Sequence, residues 1–416
     1  MKILVLGGGV IGVTVAFYLA EDGHEVTVID RNARAASETS YGNAGLVSPG
    51  DSYSWASPFA PVTFIKSLYR SDLGIKVNPS LDPQFLAWAW RFLLQCTPLR
   101  TRINTLRKLR IALYSKQCLN ELVAQTGISY DAQTKGIVYF FRTQQSLDRG
   151  TGHMRLLADH GLVVEVVGRD RLAALEPGLA AVKDRLAGAI YSPMDQTGDS
   201  CLFTRNLAAW CEKNARVRFL YGTTIKGLDA LGGRVRAVVT DRGPLGADAF
   251  VIAMGADTPL LTRRIGIDIP IYPVKGYSVT VPIRSGAMGP TLGGVDEDRL
   301  IAYSRLGDRL RLARRAEFAG YDRSHKPRDF TALFSALDEL FPGCTVPGKA
   351  EHWAGLRPMT PSSVPILGQA SRKNLYLDCG HGHVGWTMAC GSGRLVADII
   401  SGRSPAIDPE GLLFAG

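Results

Sequence analysis

The sequence predicts an α/β protein in which a parallel, dinucleotide-binding sheet is combined with a second domain of antiparallel strands. Three observations support this fold class. A strand, a glycine-rich turn, a helix and another strand fill the first thirty residues, alternating strands lie at 271–281, 300–305 and 309–312, and a strand, glycine loop and helix return after residue 374. Because the first pattern returns late in the chain, we expect the antiparallel domain to be inserted and not appended.

The first thirty residues match a dinucleotide-binding unit. Residues 2–6 form a short apolar strand, residues 7–12 read G-x-G-x-x-G, and a strand over 25–29 leads directly into Asp30. Glycines allow a tight turn and close backbone approach, the helix N-terminus suits a pyrophosphate, and the carboxylate suits a ribose 2′-hydroxyl. The turn supplies these predicted cofactor contacts: Gly7, Gly9, Val10, Ile11 and Gly12.

An alternative interpretation of residues 3–20 is a signal peptide or a membrane span, because the run is almost uninterruptedly apolar. The glycines at turn spacing and the strand ending in Asp30 argue against both. We therefore expect the mature protein to begin at Met1 and to stay in the cytoplasm, with peripheral contact to the inner membrane as an open alternative.

Composition sets further limits. The 416 residues suffice for two domains, and 48 basic against 38 acidic residues give a net charge of +10. That charge suits an anionic substrate, an anionic membrane or nucleic acid, but no nucleic-acid module is recognisable and we expect no such partner. Seven scattered cysteines predict reduced thiols, and no Cys or His spacing predicts a metal site.

Residues 31–50 are dense in Gly, Ala, Ser and Asn. Such a stretch is ordinarily a loop, but beside a dinucleotide turn its small residues let backbone amides approach a flat bound ring. Arg31 suits a 2′-phosphate, which Asp30 would repel, so we expect an unphosphorylated adenosine half. The loop adds these predicted cofactor contacts: Arg31, Thr39, Ser40, Asn43, Ala44, Gly45 and Leu46.

The segment 83–94 is aromatic and apolar, and five basic residues follow between positions 100 and 110. One interpretation is a core helix followed by a solvated basic helix. The other is an interfacial segment that holds the protein on an anionic membrane, with about 1 kcal/mol from each basic residue near the surface.

The centre of the chain adds further strands at 136–141, 188–191, 217–225 and 235–240. A helix over 202–213 has Asp199 as its N-cap candidate. Residues 249–252 form a buried strand that can lie beside the first strand of the chain. From this arrangement we predict cofactor contacts at Ile225, Ala253 and Gly255. The alternative is that these residues only pack in the protein core.

The strand, glycine loop and helix over 374–400 predict a second part of the cofactor site. A helix N-terminus offers about half a positive charge, which is useful where negative charge develops, as it does at the N1/O2 edge of a reduced flavin. The predicted contacts here are Gly380, His381, Gly382, Val384, Gly385, Trp386 and Thr387.

With these motifs in view, the chain resembles the D-amino-acid oxidase, glycine oxidase and sarcosine oxidase family, and within it the FAD-dependent D-amino-acid dehydrogenases. Besides the N-terminal unit, the resemblance rests on four motifs, at residues 39–45, 272–278, 355–361 and 380–393. It implies FAD as cofactor, a Rossmann-type FAD-binding domain and an inserted α+β substrate domain with a large antiparallel sheet. The implied FAD-binding domain comprises 1–50, 198–262 and 350–416, and the substrate domain 51–197 and 263–349.

The resemblance also implies that Arg357 grips the substrate carboxylate, a role that suits a planar guanidinium. Two departures stand out. Arg314 and Arg315 replace the relatives' glycine-rich strand, where their long side chains either reshape the pocket or point away from it. His383 occupies a variable site where it could contact flavin or substrate. D-hydroxyproline therefore joins D-alanine-type substrates as an alternative.

The resulting hypothesis is oxidative deamination of a D-amino acid to the 2-oxo acid and ammonia. The carboxylate binds Arg357, assisted by Tyr277 or Tyr303, and a hydride moves from Cα to flavin N5. The amine must be neutral for the hydride to leave, and no protein base is obvious in the sequence.

We expect a quinone or respiratory-chain component as the electron acceptor. The alternatives are an oxygen-using oxidase, a nicotinamide-dependent dehydrogenase, and a silent FAD-carrying subunit of an electron-transfer complex.

Overall fold

The protein is described by a computed structural model covering residues 1–67, 69, 74–78, 81–346 and 348–415, without the side chain of Arg315. Its strands are β1 Lys2–Leu6, β2 Glu25–Ile29, β3 Leu46–Val47, β4 Ile75–Val77, β5 Ile137–Phe141, β6 Glu165–Gly168, β7 Gly188–Ser192, β8 Gln196–Thr197, β9 Val217–Leu220, β10 Ile225–Leu231, β11 Arg234–Thr240, β12 Gly243–Gly246, β13 Ala249–Ile252, β14 Tyr272–Pro282, β15 Gly293–Asp296, β16 Ile301–Leu306, β17 Arg309–Phe318, β18 Glu351–Met359, β19 Ile366–Gln369 and β20 Leu375–Cys379. Its helices are α1 Val10–Glu21, α2 Ala60–Ser67, α3 Pro83–Gln95, α4 Pro98–Thr126, α5 Gln144–Ala158, α6 Arg169–Leu175, α7 Ser200–Asn214, α8 Thr258–Thr262, α9 Thr331–Leu340 and α10 Gly385–Ile400.

The first sheet has the order β19-β20-β13-β1-β2-β9, parallel except for the pair β19 and β20. β1 lies between β13 and β2, with Val5 opposite Val251 on one side and Val28 on the other. These strands are apolar because helices cover the sheet and both of its faces are buried. The predicted contact between the first strand and residues 249–252 is confirmed.

Helix α1 is apolar on nearly all sides because it is buried between this sheet and α10. Two glycines of α10 make the packing close: a Cβ atom at Gly393 would lie 2.9 Å from the backbone nitrogen of Val15, and one at Gly391 would lie 2.8 Å from Ser115 of α4. The glycines thus let three helices meet at backbone distance, which fixes the position of the α10 N-terminus.

The second sheet has the order β18-β14-β17-β16-β15-β5-β7-β6, with β4 paired to β17. Most of its pairs are antiparallel, as the alternating sequence pattern predicts. β18 falls inside the segment 350–416 that was assigned to the FAD-binding domain, yet it pairs along its whole length with β14 of this sheet. All six strands of the first sheet, in contrast, come from the three predicted FAD-binding segments. The exact domain boundaries stay a prediction.

Helix α7 begins where its cap candidate predicts. The Asp199 carboxylate accepts hydrogen bonds from the N–H groups of Cys201 and Leu202, at 2.9 and 3.1 Å. The helix runs from Ser200 to Asn214, so it begins two residues before the predicted 202 and ends one residue after the predicted 213.

The segment 83–110 has features of both sequence interpretations. In α3, Phe85, Trp88 and Phe92 are buried, whereas Leu86, Trp90 and Leu94 on other faces are 51, 64 and 51% exposed. The basic cluster is exposed at Arg100 and Arg102, but Lys108 is completely buried, so a fully solvated basic helix is wrong. Within the described ranges, none of the helices combines the length and apolar character needed to cross a bilayer.

Candidate functional site

One continuous cavity of about 690 Å³ runs between the two sheets and connects the first glycine turn with the loop before α10. Its size lies within the range typical of small-molecule and cofactor sites. At one end it is lined by Gly7, Gly9 and Asp30, and farther along by Arg357 and Thr387. Segments separated by more than 300 residues therefore meet on a single cavity.

The glycine turn lies at one end of the cavity. Gly7 has φ +113°, and a Cβ atom at Gly12 would lie only 1.8 Å from the Gly7 carbonyl oxygen. Gly12 itself does not line the cavity; it is required because the helix crosses directly over the turn. The α1 N-cap, Gly9, has no side chain to cap the helix. The Val10 N–H donates to the Ser40 hydroxyl at 3.0 Å, and Val10 and Ile11 of the first turn line the cavity.

The acidic residue at the end of β2 is held in place. The Asp30 carboxylate accepts N–H groups of Gly8 and Asn32, each at 2.7 Å. Arg31 lines the cavity beside it but pairs with Glu38 at 2.7 Å and Asp257 at 2.9 Å. Two carboxylates thus occupy the Arg31 guanidinium, and this supports the expected unphosphorylated ribose.

The loop after β2 is anchored to the second sheet. Thr39 donates to the Leu356 carbonyl at 2.8 Å, Ser304 donates to the Ala44 carbonyl at 2.6 Å, and the buried Arg311 donates to the Asn43 carbonyl at 3.0 Å. The predicted contacts that line the cavity here are Thr39, Ser40, Asn43, Ala44 and Leu46. Gly45 does not line it; at φ +81° it forms the turn against Ser304.

The α10 side is equally ordered. Thr387 accepts the N–H of Ser48 at 3.0 Å, joining the two cofactor segments, and His381 Nε2 lies 3.0 Å from the Ser392 hydroxyl. The cavity lining includes the predicted residues His381, Gly382, Val384, Gly385, Trp386 and Thr387, and also Ile225, Ala253 and Gly255. Gly380 lies outside it, at φ +78° in the turn against Thr360.

These residues fit FAD. Two helices, α1 and α10, begin at the same cavity without a side-chain cap at either N-cap position, and neither has an acidic residue in its first turn. Such N-termini suit a pyrophosphate at one end and the electron-rich edge of a flavin at the other. The glycine turn and Asp30 would hold the adenosine diphosphate half, and residues 382–387 would lie at the flavin half.

Arg357 on β18 is partly buried and lines the cavity, and desolvation lowers the pKa of its guanidinium to about 10, partly offset by the charge of Asp51. Its guanidinium lies across Gly276 of β14, where a Cβ atom would come within 2.6 Å of Cζ. A partly desolvated guanidinium that remains protonated at neutral pH is suited to bind a carboxylate.

The two tyrosines proposed to assist Arg357 differ in position. Tyr277 borders the cavity, but its hydroxyl donates to Glu317 at 2.5 Å. Tyr303 is completely buried, and its ring packs against Phe341 at 4.9 Å between centroids. Its neighbour Ala302 lines the cavity, so strand alternation directs Tyr303 to the opposite face. The structure therefore does not support a substrate contact by Tyr303.

The cavity also contains charged groups that sequence reasoning missed. Asp51 lines it directly after the predicted cofactor loop, and its carboxylate lies 3.6 Å from Nε2 of His383. Lys108 of α4 is buried behind this pair and donates to the Tyr53 carbonyl at 3.1 Å. A stripe of buried polar and small residues at helical spacing, Thr101, Thr105, Lys108 and Ala112, was the available signal.

Of the two adjacent arginines Arg314 and Arg315 in β17, Arg314 lines the cavity, and its Nε donates to the Arg299 carbonyl at 3.1 Å. It therefore contributes to the pocket, as one of the two sequence alternatives predicted. The Arg315 side chain lies outside the described part of the structure.

Comparison with known proteins agrees with this geometry. The family model described as "FAD dependent oxidoreductase" matches residues 2–399. A protein named "D-amino acid dehydrogenase 2" from Mesorhizobium japonicum is 61% identical over the full length of both chains. A "D-amino acid dehydrogenase" from Paramagnetospirillum magneticum is 45% identical, covering 99% of this chain and 98% of its own.

Among solved structures, glycine oxidase from Geobacillus kaustophilus has a TM-score of 0.75 at 23% identity, covering 99% of this chain and 98% of its own. Iminodiacetate oxidase from Chelativorans has a TM-score of 0.72 at 21% identity, covering 98 and 97%. At these identities the structures establish the fold alone, and that fold agrees with the two-sheet arrangement described above. The resemblance inferred from the motifs is confirmed, and the chain belongs to the family of FAD-dependent oxidoreductases.

Proposed function

We propose that this FAD-dependent enzyme oxidises a D-amino acid to the 2-oxo acid and ammonia and passes the electrons to a quinone-type acceptor. The observation that carries the proposal is the partly buried guanidinium of Arg357, which lines the same cavity as the two cofactor segments. The names of the relatives, D-amino acid dehydrogenases at 61 and 45% identity, support the choice of substrate class.

In this proposal Arg357 binds the substrate carboxylate through parallel hydrogen bonds and so orients the Cα–H bond. FAD, when bound, supplies the acceptor for the hydride that leaves Cα. The walls formed by Leu356 and Trp353 help to exclude water from the site. The imino acid product is hydrolysed by water to the 2-oxo acid and ammonia.

The test is anaerobic reduction of the purified flavoprotein by a panel of D-amino acids that includes D-alanine and D-hydroxyproline. The expected result is loss of the oxidised flavin absorbance with at least one of them. Arg357→Ala should lower kcat/KM by roughly 30- to 4,000-fold, because truncating one partner of a buried charge pair costs about 2–5 kcal/mol. An unchanged kcat/KM would remove Arg357 from the carboxylate site.

The same panel separates the alternatives. Reduction by D-hydroxyproline alone would favour the hydroxyproline dehydrogenase, and hydrogen peroxide formed in air would indicate an oxidase. A flavin that no amino acid reduces would favour a silent subunit and contradict the proposal.

A quinone acceptor is supported by the surface around α2 and α3. Large apolar side chains are exposed there, including Phe59, Ile65, Trp90 and Leu99, each more than 60% exposed. Phe59 also lines the cavity, together with Phe64 and Phe92 on the same two helices. An apolar cavity wall that continues into an exposed apolar surface suits a lipid-soluble acceptor and peripheral contact with the inner membrane.

Vesicle binding tests this second part of the proposal. We expect the protein to sediment with vesicles containing anionic lipid at low salt and less at high salt, because exposed Arg100 and Arg102 adjoin the apolar surface. Trp90→Ser should reduce sedimentation, whereas Val163→Ser, a change at an exposed apolar residue outside the α2–α3 surface, should not. No binding at low salt would contradict the membrane contact.

A further inference from the structure

Asp51, His383 and Lys108 form a cluster of titratable side chains at the cavity, and the role inferred for this cluster rests on the proposed amino-acid substrate. His383 lies within residues 382–387, the segment expected at the flavin half, and its ring stacks on Trp55 with centroids 4.7 Å apart and planes at 24°. Both ring nitrogens are buried, and within the described residues neither has a hydrogen-bond partner. Since His383 lines the cavity, a fixed imidazole faces the substrate region without a protein ligand.

The Asp51 carboxylate is the nearest acidic group to this ring, with Oδ2 3.6 Å from Nε2. Asp51 lies in a short 3-10 helix over Pro49–Asp51, and 41% of its side chain is accessible although the residue lies at the cavity wall. A substrate group placed beside the ring can therefore reach the carboxylate as well.

Charged groups from several elements act on this pair. Burial raises the pKa of Asp51, but His383, Lys108 and Arg357 outweigh it and hold that pKa below its usual range. Glu297, beyond β15, and Asp195, before β8, also face Asp51; burial raises their pKa values to about 8 and about 7. Tyr139 of β5, which donates to Asp195, has a pKa well above its ordinary value because of burial.

The cation behind the pair is Lys108. Burial lowers its pKa to about 8, while the Asp51 carboxylate acts in the opposite direction, so the lysine is mostly charged at pH 7. Its Nζ donates to the carbonyl of Tyr53, two residues after Asp51. The hydrogen bond from Lys108 thus fixes the segment that carries Asp51, and the lysine charge favours the ionised form of the Asp51 carboxylate.

We propose that Asp51 and His383 form the amine side of the substrate site, where Nε2 of His383 accepts a proton from the substrate ammonium group and Asp51 stabilises the imidazolium. Arg357 then binds the carboxylate of the same substrate. The zwitterionic amino acid thus has its carboxylate at the Arg357 cation and its ammonium group at the Asp51–His383 pair. Lys108 is a positioning residue that acts through Asp51.

The step is a proton transfer and balances without any other reactant. One N–H bond of the ammonium group breaks, one N–H bond forms at His383, and no electrons are exchanged. The amine lone pair is thereby available to form the C=N bond when the hydride leaves Cα. Burial lowers the pKa of His383 despite the opposing effect of Asp51, so the ring is neutral and able to accept a proton at pH 7.

The kinetic test compares pH profiles of kcat/KM for the holoenzyme. Asp51→Asn and His383→Gln should each lower kcat/KM at pH 7 by roughly 10²- to 10⁴-fold, the usual contribution of general acid–base catalysis. Both should move the acid limb of the profile toward the pKa of the free amine, because these variants can use only the fraction of substrate whose amine is already neutral in solution. Asp51→Glu should restore part of the activity, and the surface variant Asp148→Asn should behave as wild type. Unchanged acid limbs would overturn the proposal.

Lys108→Met tests the positioning role, with the adjacent, partly exposed Arg107→Met as its matched control. We expect Lys108→Met to move the acid limb in the same direction as Asp51→Asn but by less, since the carboxylate remains present. An acid limb that does not move would remove Lys108 from the proposal.

A binding measurement needs no turnover. The amino acid 2-aminoisobutyrate lacks a Cα hydrogen, so it can bind without being oxidised. Calorimetric titration in two buffers with different ionisation enthalpies counts protons released to solvent. We expect none from wild type at pH 7, because His383 takes the proton, and about one per ligand from His383→Gln. Release of one proton by wild type, or of none by His383→Gln, would overturn the role of His383.

The outcomes separate the inference from the proposed function. Flavin reduction of wild type by a D-amino acid with wild-type behaviour of all variants would leave the function standing and the inference refuted. Absence of reduction by every D-amino acid would refute the function directly.

Discussion

Replacing Gly276 with alanine should impair carboxylate binding without removing any charge. A Cβ atom at this position would lie 2.6 Å from Cζ of Arg357 and 2.6 and 2.8 Å from its two terminal nitrogens. Nonbonded atoms pack at about 3.5–4.0 Å, so the guanidinium must move by about 1 Å. Because a misplacement of that size costs roughly 10²-fold in rate, we expect kcat/KM for a D-amino acid to fall by about that factor.

The assay is steady-state kinetics with a dye acceptor, together with flavin content and thermal unfolding for each variant. Gly227→Ala on β10 is the matched control, because a Cβ atom there meets nothing within 4 Å. The reasoning is refuted if Gly276→Ala retains full kcat/KM with normal flavin content. It is also refuted if Gly276→Ala and Arg357→Ala together lose as much as the product of the single losses, because both changes are expected to act through one guanidinium.

Three further predictions concern the cofactor, pH and stability. Gly12→Ala should yield protein without flavin absorbance, because its Cβ would lie 1.8 Å from the Gly7 carbonyl oxygen; retained colour would contradict this. Burial and the charge of Asp51 raise the pKa of Glu297 from 4.5 to about 8. The ionised side chain therefore destabilises the folded state, and this loss of stability grows as the pH rises from about 4.5 to about 8. Glu297→Gln should therefore raise Tm at pH 8 and leave it unchanged at pH 4. Equal Tm shifts at the two pH values would show that ionisation of Glu297 is not the cause. Asp199→Ala should lower the free energy of unfolding in urea by at least about 0.5–2 kcal/mol, through the lost cap of α7 and the lost ion pair with Arg309 at 3.0 Å. Asp199→Asn, which keeps a capping oxygen but not the ion pair, should lower it by less.

Features set by local chemistry were predictable from the sequence. The cap at Asp199 is one example, since a side chain that accepts N–H groups two and three residues later needs no distant partner. The glycine turn at residues 7–12 is another, because its geometry depends on the turn and on the helix that follows. The position of β13 beside β1 followed from a fold-level tendency, because a continuous apolar run is typical of a strand in a parallel sheet that is buried on both faces.

Side-chain direction in the second sheet was not predictable in the same way. Alternation shows that Ala302 and Tyr303 face opposite sides, but not which side is the cavity, since a shift of one residue exchanges them. Asp51 and Lys108 were missed for a related reason. A lysine in a basic cluster is ordinarily solvated, and only the tertiary fold places the Tyr53 carbonyl at its amino group and Asp51 near it.

The strand order of the first sheet has a consequence for how the protein is made. β1 leaves the ribosome early, yet its neighbour β13 follows after about 240 residues, which take roughly 12–50 s at usual synthesis rates. During that time one edge of β1 and the apolar surface of α1 lack their native cover. The cofactor site is complete only after α10 has been synthesised, so a nascent chain must avoid aggregation before FAD can stabilise it. We therefore expect chaperone dependence and FAD supply to control the yield of active protein more strongly than the final stability does.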